Sequence, residues 1–151
     1  MIEIHPAAVT TDLLLSPGGL PLIICAALPR LQKKLEAAGY QTVHINIELS
    51  KRLLSFAPDE RPARVEGELR KILNGPDPMF LTDFEMLFDP RYEIDILKIF
   101  CERARFAAIA VRWPGRSTSD KLTYAGPEAP DHHEYDCSKY QIRLVKQEER
   151  R

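Results

Sequence analysis

The sequence predicts a three-layer α/β/α sandwich built on a mostly parallel sheet. Three observations predict it. Apolar runs of strand length stand in "PLIICA", "PMFLTD" and "AAIAVRW", amphipathic helical patterns separate them, and the alternation is unbroken over residues 21–113. A helix that links two parallel strands crosses over right-handed, so successive helices cover both faces of the sheet. With 151 residues, 44% of them hydrophobic, the chain can bury a core without disulfides or metal. A single domain over residues 1–151 is expected, with a core from about 20 to 115 and a β-rich tail from about 116 to 146.

Residues 1–20 close on the turn signal "SPGG", and "DLLLS" within them fits a short helix and an edge strand equally. Leu22–Ala26 is continuously apolar behind Pro21, as a strand covered on both faces would be. Helix 28–38 follows from Leu28, Leu31, Leu35 and Ala38 at three- and four-residue spacings, with Pro29 in its first turn and Gly39 past its end. "TVHINI" alternates Val43, Ile45 and Ile47 with Thr42, His44 and Asn46, which predicts a strand over 42–47 near a sheet edge. "ELSKRLLSF" is expected as a short helical turn. In "VEGELRKILNG", Val65, Leu69, Ile72 and Leu73 share one side of a helix that stops at Gly75. "PMFLTD" is an apolar strand with a polar end. Helix 91–106 turns Ile96, Leu97, Phe100, Cys101 and Ala104 one way, and Asp95, Lys98, Glu102 and Arg105 the other. "AAIAVRW" is a buried strand broken by Pro114-Gly115. The tail offers β segments at Leu122–Tyr124 and Gln141–Val145, which would add one or two strands at an edge of the sheet.

Formal net charge is −1, so the overall balance gives no argument for nucleic acid. The apolar runs are too short for a membrane span, and the opening "MIEIHPAAVTTD" lacks the basic-then-hydrophobic order of a secretory signal. Cys25, Cys101 and Cys137 are odd in number and far apart. A cytoplasmic protein with reduced thiols and no membrane contact is the expectation.

Two segments bear on chemistry. "FLTDFEMLF" is an apolar strand ending in an acid, the form in which a Walker B aspartate meets a Mg²⁺-bound water. Asp83 would be that residue and Glu85 the second acid, although Glu85 is two positions on instead of adjacent. The plainer reading is that Asp83 closes the turn after the strand. A phosphate loop would have to follow the first strand, with glycines, a lysine and a hydroxyl. "CAALPRLQKK" has no glycine there and no Lys-Ser or Lys-Thr pair, and Pro29 lacks an amide hydrogen. The glycines of "SPGGLP" precede the strand. ATP and Mg²⁺ are therefore not expected as cofactors, and no catalytic residue is assigned. Arg30 and Arg112 are candidate phosphate or anion contacts.

Asp131, His132, His133 and Cys137 lack zinc-ligand spacing, so no metal is expected. No serine sits in a nucleophile-elbow context. Arg103, Arg105, Arg112, Arg116 and Lys121 gather near Trp113 and Tyr124, a composition that can contact a nucleic-acid backbone. A solvated rim, or pairing with Glu85, Asp89 and Glu93 nearby, is the alternative.

Three stretches carry a resemblance: "INIELSKRLLSF", "FLTDFEMLFDPRYEIDILKIF" and "VRWPG" with "KLTYAGPEAPDHHEY". Together, over roughly residues 20–145, they resemble BrxF, the small P-loop protein family of type-three BREX phage-defence systems. The resemblance implies a P-loop-NTPase-like fold and a bacterial cytoplasmic protein. It also implies partners, namely a large ATPase, a methyltransferase and a PglZ-like protein. Asp83 matches the family's Walker B aspartate and Glu85 its following acid, while Cys25–Arg30 stands where the family's Gly-Lys-Ser/Thr loop would be. The expected role is a non-catalytic subunit acting by protein–protein contact, as a monomer or a homo-oligomer. A nucleotide-responsive switch completed by a partner, or a DNA-contacting component, is the alternative.

Overall fold

A computed structural model describes residues 1–147. Six strands form one all-parallel sheet: β1 (Ile2–Glu3), β2 (Leu22–Ile24), β3 (Gln41–His44), β4 (Met79–Thr82), β5 (Ile109–Arg112) and β9 (Arg143–Val145). Their order is β1-β9-β2-β5-β4-β3. Between β5 and β9 the chain builds a separate antiparallel sheet from β6 (Arg116–Thr118), β7 (Lys121–Tyr124) and β8 (His133–Asp136).

The strands' alternation assigns the two faces. Leu22, Ile24, Phe80, Ala110 and Val145 point to one side, where α1 (Thr11–Leu15) and α2 (Leu31–Ala37) contribute Leu14, Leu31 and Leu35. Ile23, Leu81, Ile109, Val111 and Leu144 point to the other, against α3 (Ile45–Leu53), α4 (Arg61–Leu73) and α5 (Ile96–Ala104). This is the expected three-layer arrangement, with both faces of a parallel sheet covered. Local chemistry sets the helix starts. Thr10 and Asp95 accept from Leu13 N and Lys98 N at the beginnings of α1 and α5, and Pro62 lies in the first turn of α4.

Four expectations are corrected. The strand expected over 42–47 ends at His44, because Ile45 already opens α3. Ile45, Leu49 and Leu53, four residues apart, are buried on the α3–α4 side, while Ile47 is 53% exposed. A helical stripe that can reach a core outcompetes a three-residue alternation that cannot. The expected helices 28–38 and 91–106 shorten to α2 and α5, with Arg30 in a left-handed turn before α2. "DLLLS", which the sequence left open between helix and edge strand, falls almost wholly within α1. Finally, the tail is not an edge addition: β9 lies inside the sheet between β1 and β2, and the rest forms the second sheet.

That second sheet is fastened by aromatic packing. Phe88 stacks on Tyr124 at 4.1 Å between centroids, and Trp113 meets Phe84, Phe88 and Tyr135 edge-on at 5.5–5.9 Å. Such pairs contribute about 0.5–1.5 kcal/mol each beyond their buried area. Trp113 Nε1 donates to Thr123 O at 3.0 Å, and Gly115 passes so close to Thr123 that a Cβ there would sit 1.8 Å from its carbonyl oxygen. No helix among the described residues is long and apolar enough to cross a membrane.

Candidate functional site

In a parallel sheet the carboxyl ends of all strands share one edge, and ligands of open α/β sheets bind in the crevice there. At this edge β2 leads to Cys25, β3 to Ile45, β4 to Asp83 and β5 to Trp113. His44 is in register with Thr82, and Arg112 with Ile24. Asp83 and the turn after β2 therefore lie on one edge with β5 between them, about 9–10 Å apart at two strand spacings.

Asp83 is exposed and takes a left-handed backbone, φ 52°. Aspartate tolerates that region better than most residues. Its carbonyl accepts from Asn46 N at 2.6 Å, and its carboxylate accepts from His44 Nδ1 at 2.6 Å. The pair is half exposed, 47% and 53%, which limits its worth to roughly 0–1 kcal/mol. Glu85 opens the 3₁₀ turn Glu85–Phe88 and accepts from Asn46 Nδ2 at 2.7 Å. Asn46 also accepts from Met86 N through Oδ1. Both acids are thus tied to the β3–α3 junction. His44 and Asn46 are partners that sequence reasoning missed, since they lie 39 residues from the acids they hold. The available signal was polar side chains at the end of a strand adjacent to β4.

Neither acid lines the depression at the end of β2. Its wall is the segment 25–29 with Leu31, Arg112 and Trp113 on one side, and Pro6, Ala7, Lys34, Gly115, Arg116 and Gln147 on the other. Glu85 lines a different cavity, with Asp89, Tyr92 and Asp131. Arg30 precedes α2 with its side chain exposed. The Arg112 guanidinium lies over the Phe80 ring, 5.4 Å from its centroid. Burial pushes the Cys25 thiol up to about 12, so the cysteine at the end of β2 is a poor nucleophile near neutral pH.

The five cations grouped in sequence do not form one face. Arg103 is only 5% exposed: Nη1 donates to Ala107 O at 3.1 Å and Nη2 to Asp77 O at 2.9 Å. It ties the end of α5 to the loop entering β4, and desolvation lowers its pKa. Lys121 is paired with Glu134 at 2.7 Å. Arg105 is exposed at the end of α5, on the sheet edge opposite the depression. Only Arg112 and Arg116 share the surface beside β2. Burial is what separates Arg103 from its neighbours, because its helical position turns it inward.

Among the described residues no three His, Cys, Asp or Glu side chains gather as metal ligands would. His132 and His133 donate through Nδ1 to the Ala125 and Asp131 carbonyls. Comparisons with protein-family models, with curated proteins and with solved structures return no match.

Proposed function

We propose that this chain is a non-catalytic, protein-binding subunit built on a P-loop-like frame. The observation that carries the reading is local: Ile24 and Leu31 are joined by six residues with no glycine and with Pro29 among them. Asp83 and Glu85, the residues that would serve a metal-bound nucleotide, are instead held by His44 and Asn46. The strand order also favours a P-loop-like ancestry, because β5 stands between the strand that would carry the phosphate loop and the strand that carries the acid. The motifs that resemble BrxF supply the context: a bacterial cytoplasmic defence complex of BREX type, with a large ATPase, a methyltransferase and a PglZ-like protein as partners.

Two surfaces suit such contacts. The outer edge of β3 is unpaired among the described residues and carries neither Lys nor Pro, so a partner strand could add to it. The groove between α4 and α5 presents Phe106, 76% exposed, beside Leu73 and Ile99. The test is co-expression with the three named partner proteins, purification of the complex, and ATPase assay of the isolated chain. The expected outcome is a stable complex with at least one partner and no turnover by the chain alone. ATP turnover abolished by Asp83→Ala would overturn the reading, as would failure to join any of the three.

A further inference from the structure

The depression at the end of β2 differs in its charge from three other cavities of the described residues. Its two adjoining parts, the wider of about 1220 Å³, share the segment 25–29, and among the described residues their walls hold Lys34, Arg112 and Arg116 but no carboxylate. The α4–α5 groove includes Glu102, the cavity under β8 includes Asp95 and Glu134, and the cavity beside residues 85–88 includes Asp89 and Asp131. Arg30, the residue after Pro29 of the wall, is exposed and does not itself line the depression.

The pairing of charges points the same way. Arg52, Arg70, Lys71, Arg91, Lys121 and Lys146 each meet an acid within 4.0 Å. Arg30, Lys34, Arg112 and Arg116 meet none among the described residues; Lys51, Lys98 and Arg105 meet none either, but they do not line this depression. Unpaired like charges on one concave surface repel each other, and an anion at that surface relieves the repulsion. The place is also the edge of a parallel sheet where open α/β folds hold ligands.

The wall itself narrows the ligand. A single tightly held phosphate needs a nest of backbone amides, and this turn has no glycine and one amide fewer at Pro29. Stacking of a base needs an open aromatic face. Trp113, the aromatic residue in the wall, is 3% exposed and gives its Nε1 hydrogen to Thr123 O. What remains is a set of separated cations on an open surface, complementary to a charge that repeats. We infer that this depression holds the phosphodiester backbone of a nucleic acid, contacted by Arg30, Lys34, Arg112 and Arg116 without reading of bases. The inference stands apart from the protein-binding role.

The test is fluorescence anisotropy of the full chain with labelled duplex and single-stranded DNA of about 30 nucleotides, from about 20 to 200 mM salt. Four phosphate contacts predict that log K falls with log salt at a slope of about −3.6 for duplex and about −2.8 for single strand, which distinguishes the two sources. Arg112→Gln or Arg116→Gln should each lower the slope by about 0.9 on duplex or 0.7 on single strand. The fourfold Gln variant should lose binding, whereas Arg105→Gln and Lys121→Gln should leave the slope unchanged. Trp113 fluorescence verifies that each variant is folded. No binding at the lowest salt, or an unchanged slope in the fourfold variant, overturns the inference. Displacement of DNA by equimolar ATP would also overturn it, because the site would then prefer a compact polyphosphate. The fourfold variant should still enter the complex with its protein partner, so the two failures are distinguishable.

Discussion

Replacing Tyr135 by Phe removes one oxygen and tests whether the second sheet is structurally part of the core. The Tyr135 hydroxyl accepts from Ile96 N at 3.1 Å, at the first residue of α5, and donates to Ile94 O at 3.3 Å. Tyr135 is 8% exposed, and Ile94 and Ile96 are 6% and 0%. No water can readily replace the hydroxyl, so both backbone groups lose their partner. Each unsatisfied buried group costs about 1–3 kcal/mol, which puts the loss at about 2–6 kcal/mol. That is a large share of the roughly 5–15 kcal/mol expected for a domain. The assay is urea unfolding followed through Trp113, the single tryptophan, which sits in the aromatic cluster at 3% exposure. With a urea m-value of about 2 kcal/mol/M, the midpoint should fall by about 1–3 M. A fall below about 0.2 M, or a separate early transition of the second sheet, would refute the docking described above.

Three further outcomes follow from packing and ionisation. Gly115→Ala should lower stability by about 2–3 kcal/mol or more in the same urea assay, because its Cβ would meet the oxygen that also holds Trp113. The Glu68 carboxyl is held below the usual carboxylate range by the hydrogen bond from Lys71 first, then by its attraction and by Arg52. Since the folded-state pKa is the lower one, this stabilisation is present above the unfolded pKa of about 4.3 and lost as pH falls through the folded value. Glu68→Gln should therefore flatten the decline of melting temperature on acidification below that point. The Cys25 thiol, at about 12, should carry a thiolate fraction at pH 8 roughly a thousandfold below that of an ordinary cysteine. Iodoacetamide labelling followed by peptide mass analysis should find Cys25 unmodified while unfolded chain reacts readily.

The central sheet was legible because β2, β4 and β5 are buried on both faces and therefore read as continuous apolar runs. The position of Asp83 at a strand end followed from the same contrast. The β3–α3 boundary was not legible, since Val43, Ile45 and Ile47 satisfy a period of two over a window too short to expose the four-residue stripe Ile45–Leu49–Leu53. The pairs His44–Asp83 and Asn46–Glu85 depend on which strands become neighbours, a non-local fact. Arg103 shows the weakness of counting charges along a chain: one basic residue in a run of exposed neighbours turned out to be an interior brace.

The place of β9 has a temporal meaning. β1 pairs with β9 alone, through Ile2 with Arg143 and Glu3 with Leu144. During synthesis at about 5–20 residues per second, β1 waits roughly 7–28 s before its partner exists. The flank of β2 that β9 will cover stays open for nearly as long. Until then the nascent chain exposes a strand edge made of Leu22, Ile23 and Ile24, one of the most apolar edges it has. A ribosome stalled shortly before residue 143 would therefore hold a four-stranded sheet with β1 unpaired and an adhesive seam, and that interval is when a chaperone would matter most.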